Sequence, residues 1–163
     1  MSNHETTKRS LTITRTFDAP RERVWSAWTD PEAIEQWLCP EEFSVEFAEG
    51  DLRPGGRWRS GMRSPDGDAF VVCGEYREIV PPERLVFTHA WEDEAGEPGH
   101  ETLVTVLLEA VGDRTSLTFS QVGLASVESR DSHEEGWNEV LDHLASHLHA
   151  SEASFGRPVE GNS

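Results

Sequence analysis

Apolar and polar residues alternate over Leu11–Phe17 (LTITRTF), with Leu11, Ile13 and Phe17 on one side, as in a strand with one wet face. After Asp18-Ala19-Pro20 the period changes. Val24, Trp25 and Trp28 share one side of a helix, with Asp18 expected as its N-cap and Pro20 in its first turn. Asp30-Pro31 repeats the signal. Asp30 caps a second short helix, Pro31 opens it, Ala33, Ile34, Trp37 and Leu38 form its apolar side, and Pro40 ends it.

The middle of the chain alternates with period two. Phe43, Val45 and Phe47 form one series, and Trp58, Ser60 and Met62 another, beyond turn signals at Gly50, Pro54, Gly55 and Gly56. Ser64-Pro65-Asp66-Gly67 predicts a turn. A long strand then runs from Ala69 to Val80, with Phe70, Val72, Gly74 and Tyr76 on one face. Pro81-Pro82 turns the chain into a strand that carries Leu85, Phe87, His89 and Trp91. An acidic hairpin loop, Glu92 to Gly99, leads to a strand over Thr102–Val111. Gly112-Asp113 turns into the last strand, with Thr115, Leu117, Phe119 and Gln121 together. From about Ser132 to His149 the spacing returns to three and four, and Trp137, Val140, Leu141, Leu144 and Leu148 make one stripe.

The expected architecture is α+β. A curved antiparallel sheet of about six to seven strands wraps a long C-terminal helix, with two short helices after the first strand. Residues 1–9 and 151–163 are polar, lack periodicity and are expected to be disordered tails around one domain at 10–150. One helix cannot cover so large a sheet, so the space between sheet, long helix and short helices is where a cavity is expected.

Charge narrows the partners. Thirty-one Asp and Glu face fourteen Lys and Arg, a formal net charge of -17, and Lys8 is the sole lysine. This field repels nucleic acid and an anionic membrane surface. Two readings of it stand: a solubilising surface, and adaptation to high salt. The N-terminus is polar and no stretch is apolar enough to span a membrane, so a cytoplasmic protein without membrane insertion is expected, with Cys39 and Cys73 as reduced thiols.

Candidate chemistry is sparse. His143 and His147 stand four apart on the last helix, with Asp142 and His149 nearby, but Leu144 and Leu148 take its inward face, so the histidines are expected in water and no metal is expected. There is no GxSxG elbow, and Cys39 follows a helix instead of opening one. Gly55-Gly56 precedes a strand and is a turn, not a phosphate cradle. Arg57, Arg59 and Arg63 alternate with Trp58, Ser60 and Met62 and are expected to pair with surface acids, an anionic partner being the alternative. The polar groups left on the apolar face are Tyr76, His89 and Gln121, which either anchor a ligand or are satisfied core groups. His89 is the one weak candidate for acid–base catalysis.

At this point the segments FDAPRERVWSAWTDPEAIEQWLCPEEF (17–43), GDLRPGGRWR (50–59), GEYREIVPPERLVFTHAW (74–91), VTVLLEAVGDRTSLTFSQVG (104–123) and HEEGWNEVLDHLASHL (133–148) can be taken together. In order and spacing they resemble the SRPBCC superfamily, also called START-like or birch-pollen-allergen-like. The similarity is greatest to bacterial homologues of the C-terminal domain of the heat-shock protein 90 ATPase activator. One departure is Trp37-Leu38-Cys39-Pro40, where relatives often carry two tryptophans and then Gly-Pro. The resemblance implies a helix-grip fold. It also implies a choice among functions, since the superfamily holds lipid carriers, ligand binders, cyclases and chaperone regulators.

The leading expectation is a non-enzymatic binder of a small apolar molecule, aromatic or lipid-like, without a cofactor, as monomer or homodimer. The alternatives are a chaperone-regulating interaction module and a cyclase- or hydratase-like enzyme using His89. The expected binding residues are Trp25, Trp37, Phe47, Trp58, Met62, Val72, Gly74, Tyr76, Phe87, His89, Trp91, Val106, Leu117, Phe119, Gln121, Trp137, Leu141 and Leu144. A pocket of about 300 Å³ or more should separate a ligand binder from an interaction module, which a solid core would favour. On the high-salt reading of the surface, the melting temperature rises between low and molar salt; a flat or falling curve leaves only the solubility reading.

Overall fold

Strands and helices fall where the hydrophobic period changes from two to about 3.6. The computed structural model describes residues 9–38 and 42–156, so Cys39 and Pro40 lie outside the described residues. The order is β1 (Leu11–Phe17), α1 (Arg21–Thr29), α2 (Pro31–Trp37), β2 (Ser44–Gly50), β3 (Arg57–Arg63), β4 (Ala69–Val80), β5 (Arg84–Trp91), β6 (Thr102–Val111), β7 (Arg114–Val122) and α3 (Val127–Gly156).

The strands form one seven-stranded sheet in the order β1-β7-β6-β5-β4-β3-β2, antiparallel throughout. β1 and β2 are neighbours along the chain yet lie on opposite edges of the sheet. The connection must therefore cross the sheet, and α1 and α2 are that crossing. α3 packs on the same apolar face, and its stripe of Trp137, Val140, Leu141, Leu144 and Leu148 is buried as expected. This is the helix-grip fold.

Helix starts differ from expectation in two places. Asp18 does not cap α1; the N-cap is Pro20, whose carbonyl accepts from Arg23 N and Val24 N. Asp18 lies two residues too early to reach those amides, and its carboxylate stands 3.7 Å from Arg114. Asp30 does cap α2, its Oδ1 accepting from Glu32 N at 3.2 Å. α3 begins at Val127, not near 132, because Ser126 Oγ accepts from Ser129 N at 3.0 Å and supplies a cap one turn earlier. It also continues to Gly156, into the segment read as a tail.

Arginines tie α3 down from both ends of the fold. Arg15 of β1 donates to Asn138 O and to Asp142 Oδ1, Arg23 of α1 donates to Leu148 O, and Arg130 of α3 donates to Ser10 O. The apolar stripe supplies the larger stabilisation. Leu144 is fully buried, so Leu144→Ala should lower stability by about 2–5 kcal/mol in urea unfolding. A loss below about 1 kcal/mol would mean that α3 does not close the core.

Candidate functional site

Three layers meet around a cavity of about 110 Å³. The sheet contributes Trp58 and Met62 from β3, Val72 and Tyr76 from β4, and Leu85, Phe87, His89 and Trp91 from β5. The helix pair contributes Trp28, Ile34 and Trp37, with Leu38 just beyond. α3 adds His133, Gly136, Trp137 and Val140. The volume is well short of the ~300 Å³ expected. The rings interlock more closely than expected: Trp137 meets Phe119 at 4.3 Å between centroids, and Trp28 meets Trp37 edge-on at 4.8 Å.

Nine expected residues line the cavity: Trp37, Trp58, Met62, Val72, Tyr76, Phe87, His89, Trp91 and Trp137. Val106, Leu117, Leu141 and Leu144 are buried core and do not reach it. Phe119 is also core, because Trp28 stacks on its ring and Trp137 packs against it at a tilt. Trp25 is only partly buried and packs at the core's margin.

Phe47 is turned the other way. A β-bulge between Val45 and Phe47 reverses the alternation of β2, so Val45 faces Met62 while Phe47 faces Gly61. Its ring lies over Gly61 on the outer face, with the Arg59 guanidinium 5.5 Å from its centroid. Gly74 is not wall either. It is paired with Trp58, and a Cβ there would come within 1.8 Å of Thr88 O and 2.5 Å of Trp58 Nε1. The glycine lets the Trp58 indole cross it and donate to Thr88 O at 3.2 Å.

The residues absent from the expected list are Trp28, Ile34, Leu38, Leu85, His133, Gly136 and Val140. A signal for the α3 group was present in the sequence. His133, Gly136, Trp137 and Val140 are spaced i, i+3, i+4, i+7, one helical face. The lone Gly136 inside a helical pattern also marks a place where a side chain is unwanted.

One hydrogen-bond chain orders the polar groups. A tryptophan can only donate, so Trp137 Nε1 fixes Gln121 Oε1 as acceptor at 2.9 Å. The Gln121 amide nitrogen then donates to Thr102 Oγ1 at 2.9 Å, and Thr102 Oγ1 donates to His89 O at 3.1 Å. The same nitrogen stands 3.5 Å from His89 Nδ1. Gln121 is thus wholly occupied within the core and is a support, not a ligand anchor. His133 is occupied too: Nδ1 donates to Ser129 O at 2.7 Å, and Nε2 accepts from Trp91 Nε1 at 3.3 Å.

Burial, and then the neighbouring His133, push the His89 pKa down to about 3. Such an imidazole is neutral at pH 7 and a poor proton acceptor, which removes the physical support for His89 as a general base. Burial also raises the Tyr76 pKa.

Outside the cavity, Arg59 pairs with Glu92 through two bonds of 2.7 and 2.9 Å, and Arg63 pairs with Glu46 at 2.6 Å, the acid pairing expected of these two; Arg57, expected to do the same, has no carboxylate within 4.0 Å among the described residues. His143 and His147 are half-buried instead of fully in water, and the His149 side chain lies outside what is described. Among the described residues no group of three or more His, Cys, Asp or Glu is placed to hold a metal ion, and no helix is long and apolar enough to cross a membrane.

An antiparallel sheet gripping one long helix, with an apolar cavity beneath a helix pair, defines a class of proteins, and comparison places this chain within it. Residues 18–149 match the family described as Activator of Hsp90 ATPase homolog 1-like protein, and the chain belongs to that family. Among solved structures it is similar to the AHSA1 protein from Silicibacter pomeroyi, at 30% identity and a TM-score of 0.79, over 87% of this chain and 99% of that one. A protein from Chromobacterium violaceum is 31% identical, with a TM-score of 0.78 over 86% of this chain and 96% of that one. A protein from Arthrobacter aurescens reaches a TM-score of 0.81 at 28% identity, over 90% and 89%. A search of curated proteins finds no match.

The buried His89 makes a pH prediction. Its folded pKa lies below the unfolded value of about 6.5, so the unfolded chain takes up a proton first as pH falls. Stability from this group is complete above about pH 6.5 and is lost progressively down to about pH 3. Between pH 6.5 and 5, before most carboxylates titrate, urea unfolding should show wild type losing stability faster than His89→Phe. Parallel curves would mean that His89 is not buried and neutral.

Proposed function

We propose that this chain is a non-enzymatic binder of a small apolar molecule about one ring in size, held between sheet, α1–α2 and α3. The observation that carries the reading is an apolar space walled by rings and bordered by a helix glycine. A void forfeits packing contacts for the atoms around it, and glycine within a helix costs about 1 kcal/mol relative to alanine. A Cβ at Gly136 would meet nothing within 4 Å. A core selected only for stability would fill that position.

Size limits the ligand. An apolar cavity of about 150 Å³ accommodates benzene, so about 110 Å³ takes a short branched chain as it stands and a single ring once the surrounding side chains give way. The lipid-like ligand loses support on this ground. The shortfall in volume also strengthens the second reading, a chaperone-regulating interaction module, to which the family description points. In that case the cavity receives an apolar side chain of a partner protein, and the net charge of -17 disfavours an acidic partner.

Ethylbenzene is a suitable first probe. It should raise the melting temperature in a saturable way, as any ligand of the native state does. Gly136→Phe, which fills the space, should abolish that rise without lowering the melting temperature of the free protein. No rise in wild type would sink the small-molecule reading and leave the interaction module ahead. An undiminished rise in the variant would mean that the probe binds elsewhere.

A further inference from the structure

A sheet that does not close has two edges, and here they are built differently. β2 is guarded: a bulge between Val45 and Phe47 interrupts its register, and Glu46 and Glu49 stand exposed along it. β1 has none of these devices. It pairs with β7 residue for residue, from Leu11 opposite Gln121 to Phe17 opposite Thr115, without a bulge. It holds no proline, glycine or acid, and Thr12, Thr14 and Thr16 are exposed. Its one charged side chain, Arg15, is turned onto α3, where it donates to Asn138 O and Asp142 Oδ1. Among the described residues no strand or bridge pairs with its other side. Such an edge presents a row of backbone N–H and C=O groups to another strand.

Charge selects that strand. A second copy of this chain brings a further net charge of -17, but at physiological salt exposed charges are screened beyond about 8 Å, so the groups beside the contact decide. β1 is preceded by Arg9 and followed by Asp18, whose exposed carboxylate reaches Arg114 only at 3.7 Å. Opposite charges at the two ends suit antiparallel self-pairing, which sets the start of one copy against the end of the other. β2 is flanked by Glu42 and Asp51, acid at both ends, so two copies of it repel. The side chains of β1 are self-complementary as well. With Thr14 on a two-fold axis, Thr14 faces its own copy, Thr12 faces Thr16, Leu11 faces Phe17 and Ile13 faces Arg15. Threonine pairs across antiparallel strands are favourable, and no like charges meet.

We propose that the chain forms a homodimer by antiparallel pairing of β1 with β1 of a second copy, which joins the two seven-stranded sheets into one. Arg9 of each copy then lies beside Asp18 of the other. None of the residues lining the cavity belongs to β1, so the dimer stands or falls independently of the ligand.

The test is sedimentation velocity on the full chain over a concentration series. Wild type should shift with concentration to twice the monomer mass. Thr14→Asp places two carboxylates at the axis, and Arg9→Glu or Asp18→Arg places like charges side by side. Each should weaken association about tenfold while leaving the far-ultraviolet circular dichroism unchanged. Combining Arg9→Glu with Asp18→Arg should restore the dimer, which a variant that merely misfolds cannot do. A wild type that stays monomeric across the series overturns the proposal and leaves the edge to a strand of another protein. A dimer insensitive to Thr14→Asp forms through another surface and overturns it equally, as does a double exchange that stays as weak as either single one.

Discussion

Trp137 is the contact on which the rest of the arrangement depends. Its ring lies 4.3 Å from Phe119 and its N–H is fixed on Gln121 Oε1. Ring packing sets the distance between α3 and the sheet, and the directional bond sets the rotation of the helix about its axis. With that rotation fixed, Leu141, Leu144 and Leu148 enter the core, while His133, Gly136 and Val140 are left facing the cavity. The same bond orients the Gln121 amide, whose nitrogen donates to Thr102 Oγ1.

The cavity exists because three surfaces of different curvature meet there and because two glycines act in opposite senses. Gly74 removes a side chain so that the Trp58 indole can lie across the strand and reach Thr88 O. That brings a ring into the wall. Gly136 removes a side chain from α3 where nothing else takes its place. Edge-on and stacked tryptophans then claim most of the space that a curved sheet leaves open, which is why the cavity is small.

Electrostatics divides the molecule cleanly. Arg15, Arg23 and Arg130 clamp α3, while Arg59 and Arg63 pair with acids on the sheet's outer face. Among the described residues no carboxylate or guanidinium lines the cavity, and its imidazoles are held in hydrogen bonds or kept neutral by burial. The net charge of -17 bears on which partners can approach, while the described wall of the cavity is apolar.

Period and punctuation in the sequence were enough to determine the elements and the fold class. β4 and β6 occupy the intervals that alternation marks, Asp30-Pro31 opens α2, and the stripe of α3 is buried. These are local properties, set by side-chain spacing and turn chemistry. Tertiary structure alone decided which inward residues touch the cavity and which fill core. Strand alternation places Phe119 and Phe87 alike on the inner face, but only packing reveals that two tryptophans cover Phe119. A bulge that reverses Phe47 leaves no mark in a pattern of alternate apolar residues, because one extra residue inverts the face without changing the composition. The unpartnered indole of Trp28 was equally beyond reach of the sequence, since whether a donor finds an acceptor depends on ångström-scale placement of groups from α1, the sheet and α3.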